Sequence, residues 1–130
     1  MTDRLTCPRC GPDFGLILLS DRMTKRRVLE GSLGCSNCRD RFPICAGFGD
    51  LRPPPRSELV HARSLKPPSS PNPTEIAALL GITEGPGQLV LLNEMAGHAE
   101  AIAGLVPDVE VVAIAAGLRG ERETDGVSRL

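Results

Sequence analysis

The sequence contains no tryptophan and no tyrosine, and its aromatic share is 2%, all of it Phe14, Phe42 and Phe48. A large interior anchored by aromatic side chains is excluded, and so is a broad set of platforms on which nucleic-acid bases could stack. No apolar run approaches the roughly 18 residues of a membrane-spanning helix, so no membrane contact is expected. The start, Met1-Thr2-Asp3-Arg4-Leu5, lacks a basic segment followed by an apolar one. No secretory leader is therefore expected, and the reading is a cytoplasmic protein. Histidine is scarce as well. His61 lies in a proline-rich stretch and reads as solvated; His98 has no nucleophile or paired carboxylate beside it, so no catalytic residue is assigned.

Charge of one sign is also missing overall, with a net charge of −1 over 130 residues. The halves nevertheless differ: residues 1–56 hold ten Lys/Arg against six Asp/Glu, and residues 57–130 hold five against ten. That imbalance is too small to imply nucleic acid by itself. The basic group Arg22, Lys25, Arg26 and Arg27 could meet phosphate or form a solvated loop, and the second reading is preferred.

What is present is cysteine at metal-binding spacing. Cys7-Pro8-Arg9-Cys10-Gly11 and Gly34-Cys35-Ser36-Asn37-Cys38 are two C-x2-C pairs with 24 residues between them. This pattern suits a tetrahedral site of four thiolates, which points to Cys7, Cys10, Cys35 and Cys38 as ligands of a structural Zn2+. Two intervening residues let both sulfurs of a pair share one tight turn, in which Pro8 presets the backbone and Gly11 supplies positive φ. A redox role for Cys7/Cys10 would want a following helix to lower a thiol pKa, and Gly11-Pro12 opposes one. Four thiolates leave no open position for a catalytic metal. The fifth cysteine, Cys45, reads as a small buried side chain.

The expected fold class is α+β, in four segments. Residues 1–52 form a four-cysteine antiparallel ribbon. Strand character runs through Asp13–Leu19, with Phe14, Leu16 and Leu18 on one face, and through Val28–Leu33, with Leu29 and Leu33 on one face. Ser20–Arg27 forms the hairpin end, and Arg41–Ile44 is a third strand that Pro43 should confine to an edge. Residues 53–73 hold seven of the twelve prolines and read as a semi-rigid linker.

Residues 74–117 read as a partial α/β unit. Asn72-Pro73-Thr74-Glu75 is a capping box that starts a short helix, and Gly81 ends it. Gln88–Leu92 and Val109–Ile114 are continuous apolar runs, expected as parallel strands buried on both faces, with a helix from Met95 to Val106 between them. Residues 118–130 are charged and expected as a frayed polar tail. A strand–helix–strand unit alone leaves apolar faces and strand edges in water, so a covering partner or self-association is expected.

In order, Leu5-Thr6-Cys7-Pro8-Arg9-Cys10, Glu30-Gly31-Ser32-Leu33-Gly34-Cys35-Ser36-Asn37-Cys38 and Phe42-Pro43-Ile44-Cys45-Ala46-Gly47-Phe48-Gly49 resemble the tRNA-methyltransferase-activator zinc ribbons. The resemblance implies a small non-catalytic subunit that covers an apolar patch on a methyltransferase. Residues 74–116 are similar to the opening helix and first strand–helix–strand of a class I S-adenosylmethionine-dependent methyltransferase, a truncated Rossmann-like unit. That class has a Gly-x-Gly-type turn after its first strand and an acidic residue ending its second. This chain has Asn93-Glu94-Met95-Ala96-Gly97-His98 and Ile114-Ala115-Ala116 there, so no cofactor-binding residue is assigned. The leading expectation is a non-catalytic adaptor, with a methyltransferase as partner. The alternatives are a divergent methyltransferase, completed by self-association, and a nucleic-acid-binding ribbon.

Overall fold

The computed structural model describes residues 4–25, 27–58, 66–118 and 126–130. The architecture is mixed α+β. The chain divides into two compact units, Met1–Glu58 and Leu59–Leu130. Arg26, His61 and the polar stretch at 119–125 lie outside the described residues.

The first unit is an antiparallel meander of β1 (Thr6–Cys7), β2 (Gly11–Thr24), β3 (Arg27–Cys35), β4 (Arg41–Cys45) and β5 (Phe48–Gly49). Register puts Leu16 opposite Cys35, Leu18 opposite Leu33, and Leu33 opposite Phe42. Alternation then sends Leu16, Leu33, Cys35, Phe42 and Ile44 to one buried cluster with Cys7, while Phe14 and Leu18 pack at its margin. Phe42 is fully buried, and the Arg56 guanidinium lies 5.1 Å from its ring centroid. The opposite face leaves Ile17, Leu19 and Met23 about half exposed.

The hairpin is longer than the apolar pattern indicates. The strands run on through the polar residues to Thr24 and Arg27, with register shifts between Ser20 and Met23. Side chains 20–25 are exposed, so no hydrophobic alternation marks the extension. Gly31 sits at the shift, where a Cβ would collide with the Leu19 carbonyl. Pro43 does not lie on an edge strand: β4 is paired with β3 on one side and with β5 on the other. Its carbonyl accepts the Asp50 N–H at 2.9 Å, so its ring nitrogen faces the same side, just past the end of the two-residue β5. No ladder donor is needed there.

In the second unit, α1 (Pro73–Leu80) carries the full capping box. Asn72 Oδ1 accepts the Glu75 N–H at 3.0 Å, and the Asn72 N–H donates to Glu75 Oε2 at 2.8 Å. Gly81 closes the helix at φ 65°. β6 (Gly87–Leu92) pairs in parallel with β7 (Val109–Ile114), and between them run a 3-10 segment (Asn93–His98) and α2 (Ala99–Leu105). The helix expected from Met95 is thus α-helical only from Ala99. Burial on both faces holds for the middle of β7, where Val111, Val112 and Ala113 are buried, but not for β6. There Leu91 is buried while Val90 and Leu92 are more than half exposed, on an open groove that α1 lines without filling.

The expected frayed tail is corrected at both ends. Leu118 is buried, and Val127–Arg129 form a third parallel strand, β8, against β7. The Val111 N–H donates to the Gly126 carbonyl at 2.8 Å, Val127 is buried, and the buried Arg129 reaches Glu100 at 2.9 Å. Three residues are too few to show a period, and long-range pairing supplied the order that local pattern lacked. Val127→Asp places an unpaired carboxylate in that core. It is expected to destabilise the unit by about 3 kcal/mol, seen as a lower urea midpoint; an unchanged midpoint would mean β8 contributes nothing. No helix among the described residues is long and apolar enough to cross a membrane.

Candidate metal centre

Backbone pairing brings the two cysteine turns together. Cys7 ends β1, whose register with β2 places it opposite Gly11, and Gly11 turns the chain at φ 91°. Cys35 ends β3 opposite Leu16, and the Leu16 N–H donates to the Leu5 carbonyl at 3.0 Å. The second turn closes on itself: the Arg39 N–H donates to the Cys35 carbonyl and the Cys35 N–H to the Asp40 carbonyl, both at 3.0 Å. Residues distant in sequence therefore share one end of the sheet.

All four sulfurs lie within 4.8 Å of one another. Cys7 Sγ is 3.7 Å from Cys38 Sγ, and Cys35 Sγ is 3.8 Å from Cys10 Sγ. A tetrahedral ion with metal–sulfur bonds of about 2.3 Å has sulfur–sulfur edges of about 3.8 Å, whereas a disulfide requires about 2.05 Å. All five cysteines are free thiols, and these four fit a tetrahedral ion.

Electrostatics give the same answer. The N–H of Cys38 donates to Cys35 Sγ and, with the Asn37 N–H and the neighbouring thiols, lowers the Cys35 thiol to about 7 against desolvation. At Cys38, the Asp40 N–H favours the thiolate, but desolvation and the three other sulfurs outweigh it and push the thiol up to about 12. Four thiolates this close repel one another, and full ionisation needs a cation among them. Cys7, Cys10, Cys35 and Cys38 would hold it as a closed four-sulfur shell, which organises the fold and leaves no position for substrate.

Two contacts around the sulfurs went unread in the sequence. Asn37 Nδ2 donates to Cys10 Sγ at 3.4 Å, from one turn to the other, and Arg9 Nη1 donates to Asp40 Oδ2 at 3.1 Å in the opposite sense. That ion pair raises the Arg9 pKa, helped by the sulfurs of Cys38 and Cys10. An amide directly before Cys38, the fourth cysteine, was the available signal.

The remaining candidates fall elsewhere. Cys45 is exposed rather than buried, because the alternation that buries Phe42 and Ile44 turns it outward. Arg22 pairs with Glu30 at 3.3 Å, and Lys25 is exposed at the hairpin tip. His98 is buried, and its Nε2 makes no hydrogen bond among the described residues. No protein-family model matches the chain, and no curated protein matches it.

Proposed function

We propose that the chain is a non-catalytic adaptor in which a zinc ribbon presents surfaces to a methyltransferase partner. The observation that carries this reading is the closed shell of four sulfurs within 4.8 Å, a geometry that organises a fold and offers no site for chemistry. Soft thiolate donors in a tetrahedron suit Zn2+, which brings neither redox chemistry nor a d-electron preference of its own.

The second unit supports a binding role over a catalytic one. At the turn after β6, a Cβ on Gly97 would lie 3.1 Å from Pro67, so this glycine admits the chain's own backbone rather than a ligand. Ala115 and Ala116 follow β7 where a ribose-binding acid would stand. Ile76, Leu79, Leu80, Val90 and Leu92 line an open apolar groove of about 310 Å³, a surface of the kind that a partner covers.

Titration of the metal-loaded chain with S-adenosylmethionine is expected to give no saturable binding, and affinity capture from the source cell is expected to retain a methyltransferase. Micromolar cofactor binding by the chain alone would overturn the adaptor reading in favour of a divergent methyltransferase. Polyanion binding that weakens steeply with salt would favour a nucleic-acid-binding ribbon instead.

A further inference from the structure

The four sulfurs are unequally covered. Cys7 and Cys35 are buried at 1% and 4% exposure, whereas Cys10 and Cys38 are only partly covered. Loss of an ion from a closed four-sulfur shell begins with one sulfur leaving and an incoming ligand taking its place, and both events are easiest on the open side. Cys10 and Cys38 are therefore the exit pair. Cys38 receives a backbone N–H from Asp40, within its own turn. Cys10 receives a side-chain donor from the other turn, the Asn37 amide at 3.4 Å. Arg9, beside Cys10, reaches Asp40 at 3.1 Å, so two oppositely directed contacts tie the turns together at the open side.

We infer that Asn37 is a positioning residue that latches Cys10 Sγ in the metal shell and sets how fast the ion passes to an outside ligand, with the Arg9–Asp40 pair as a strut holding the turns in reach. An N–H donor draws charge from a thiolate, making it a poorer nucleophile toward electrophiles, and fixes its direction. Release of this sulfur breaks that hydrogen bond together with the metal–sulfur bond. The inference rests on metal occupancy of the four sulfurs, and is independent of whether the partner is a methyltransferase.

The test begins by establishing one metal ion per chain in the native protein; absence of metal there sinks the metal reading itself, not only the latch. Transfer of the ion to the chelator 4-(2-pyridylazo)resorcinol is then timed. Asn37→Leu keeps the volume and removes the donor. It is expected to speed transfer about 10–100-fold. Cys45, exposed and outside the shell, is alkylated in every variant. Among the four metal-site cysteines Cys10 is expected to become the first alkylated by iodoacetamide, and the sulfur-to-metal charge-transfer band of the Co2+-loaded chain is expected to move to lower energy. Asn37→Gln, which retains an amide donor, is expected to restore most of the slow transfer. If Asn37→Leu does not load metal, Asn37→Ala carries the same donor-free comparison. Native-like transfer in the donor-free variant overturns the inference, as does faster transfer with an unmoved charge-transfer band, which would mean a purely structural role.

Discussion

Removing the metal ion from the loaded chain is expected to unfold the ribbon, with loss of amide-exchange protection at Leu33 and Phe42. The interior of this unit is one small cluster of Cys7, Leu16, Leu33, Cys35, Phe42 and Ile44, and two of its members, Cys7 and Cys35, belong to the four-sulfur site that could hold a metal ion. A core in a unit this small supplies no more than about 3–5 kcal/mol, while a structural metal ion contributes of order 10–16 kcal/mol in small peptides. A bound ion would therefore outweigh the core in deciding whether the fold exists. Cys35→Ser should act as chelation does, because it deletes one buried ligand and leaves three thiolates around the ion.

Acidification should give the same result through protonation. Only thiolates bind the ion, so each step down in pH costs affinity, and folding that depends on the ion is lost toward low pH and retained toward neutral and above. Without the ion the Cys35 thiol is lowered to about 7 and the Cys38 thiol pushed up to about 12, shifts of opposite sign, so the pH dependence rests on protons competing with the ion for the sulfurs. Retained amide protection in chelator at neutral pH would refute this account.

Phe42→Ala is expected to weaken metal binding although Phe42 touches no metal. The ring is fully buried at the centre of the ribbon, packed by Leu33 across the strands and by Arg56 above. Truncating a buried Phe to Ala costs about 3–5 kcal/mol. If the metal-free ribbon is unfolded, binding and folding are one equilibrium, and the whole cost appears as lost affinity. At 1.4 kcal/mol per tenfold, that is a decrease between about a hundredfold and several thousandfold. Competition against a chelator of known affinity measures it. Unchanged affinity would show that the site is preformed without the core, contrary to the argument from chelation.

Features legible in the sequence were those whose physics is local. The C-x2-C spacing places two sulfurs on one turn whatever surrounds it, and the Asn72 box with Gly81 starts and stops α1 through contacts no more than a few residues apart. Apolar runs also identified β6 and β7, since a hydrophobic segment of that length between turn signals has few other uses. Buried-face assignments were less secure. They held for Leu29 and Leu33 in β3, but they failed for β6 and for Cys45, because burial depends on what packs opposite.

The sequence by itself determined which residues could bind a metal and where the helix at 73–80 begins and ends, because those outcomes rest on covalent spacing and short-range hydrogen bonds. Only the tertiary structure decided that the sulfurs meet at tetrahedral edges, that Asn37 reaches Cys10, that Pro43 can lie inside the sheet, and that Val127–Arg129 is a strand. Each of these depends on strand register between residues far apart in the chain. Register is set by the summed burial and pairing of whole strands, a quantity that no local window contains.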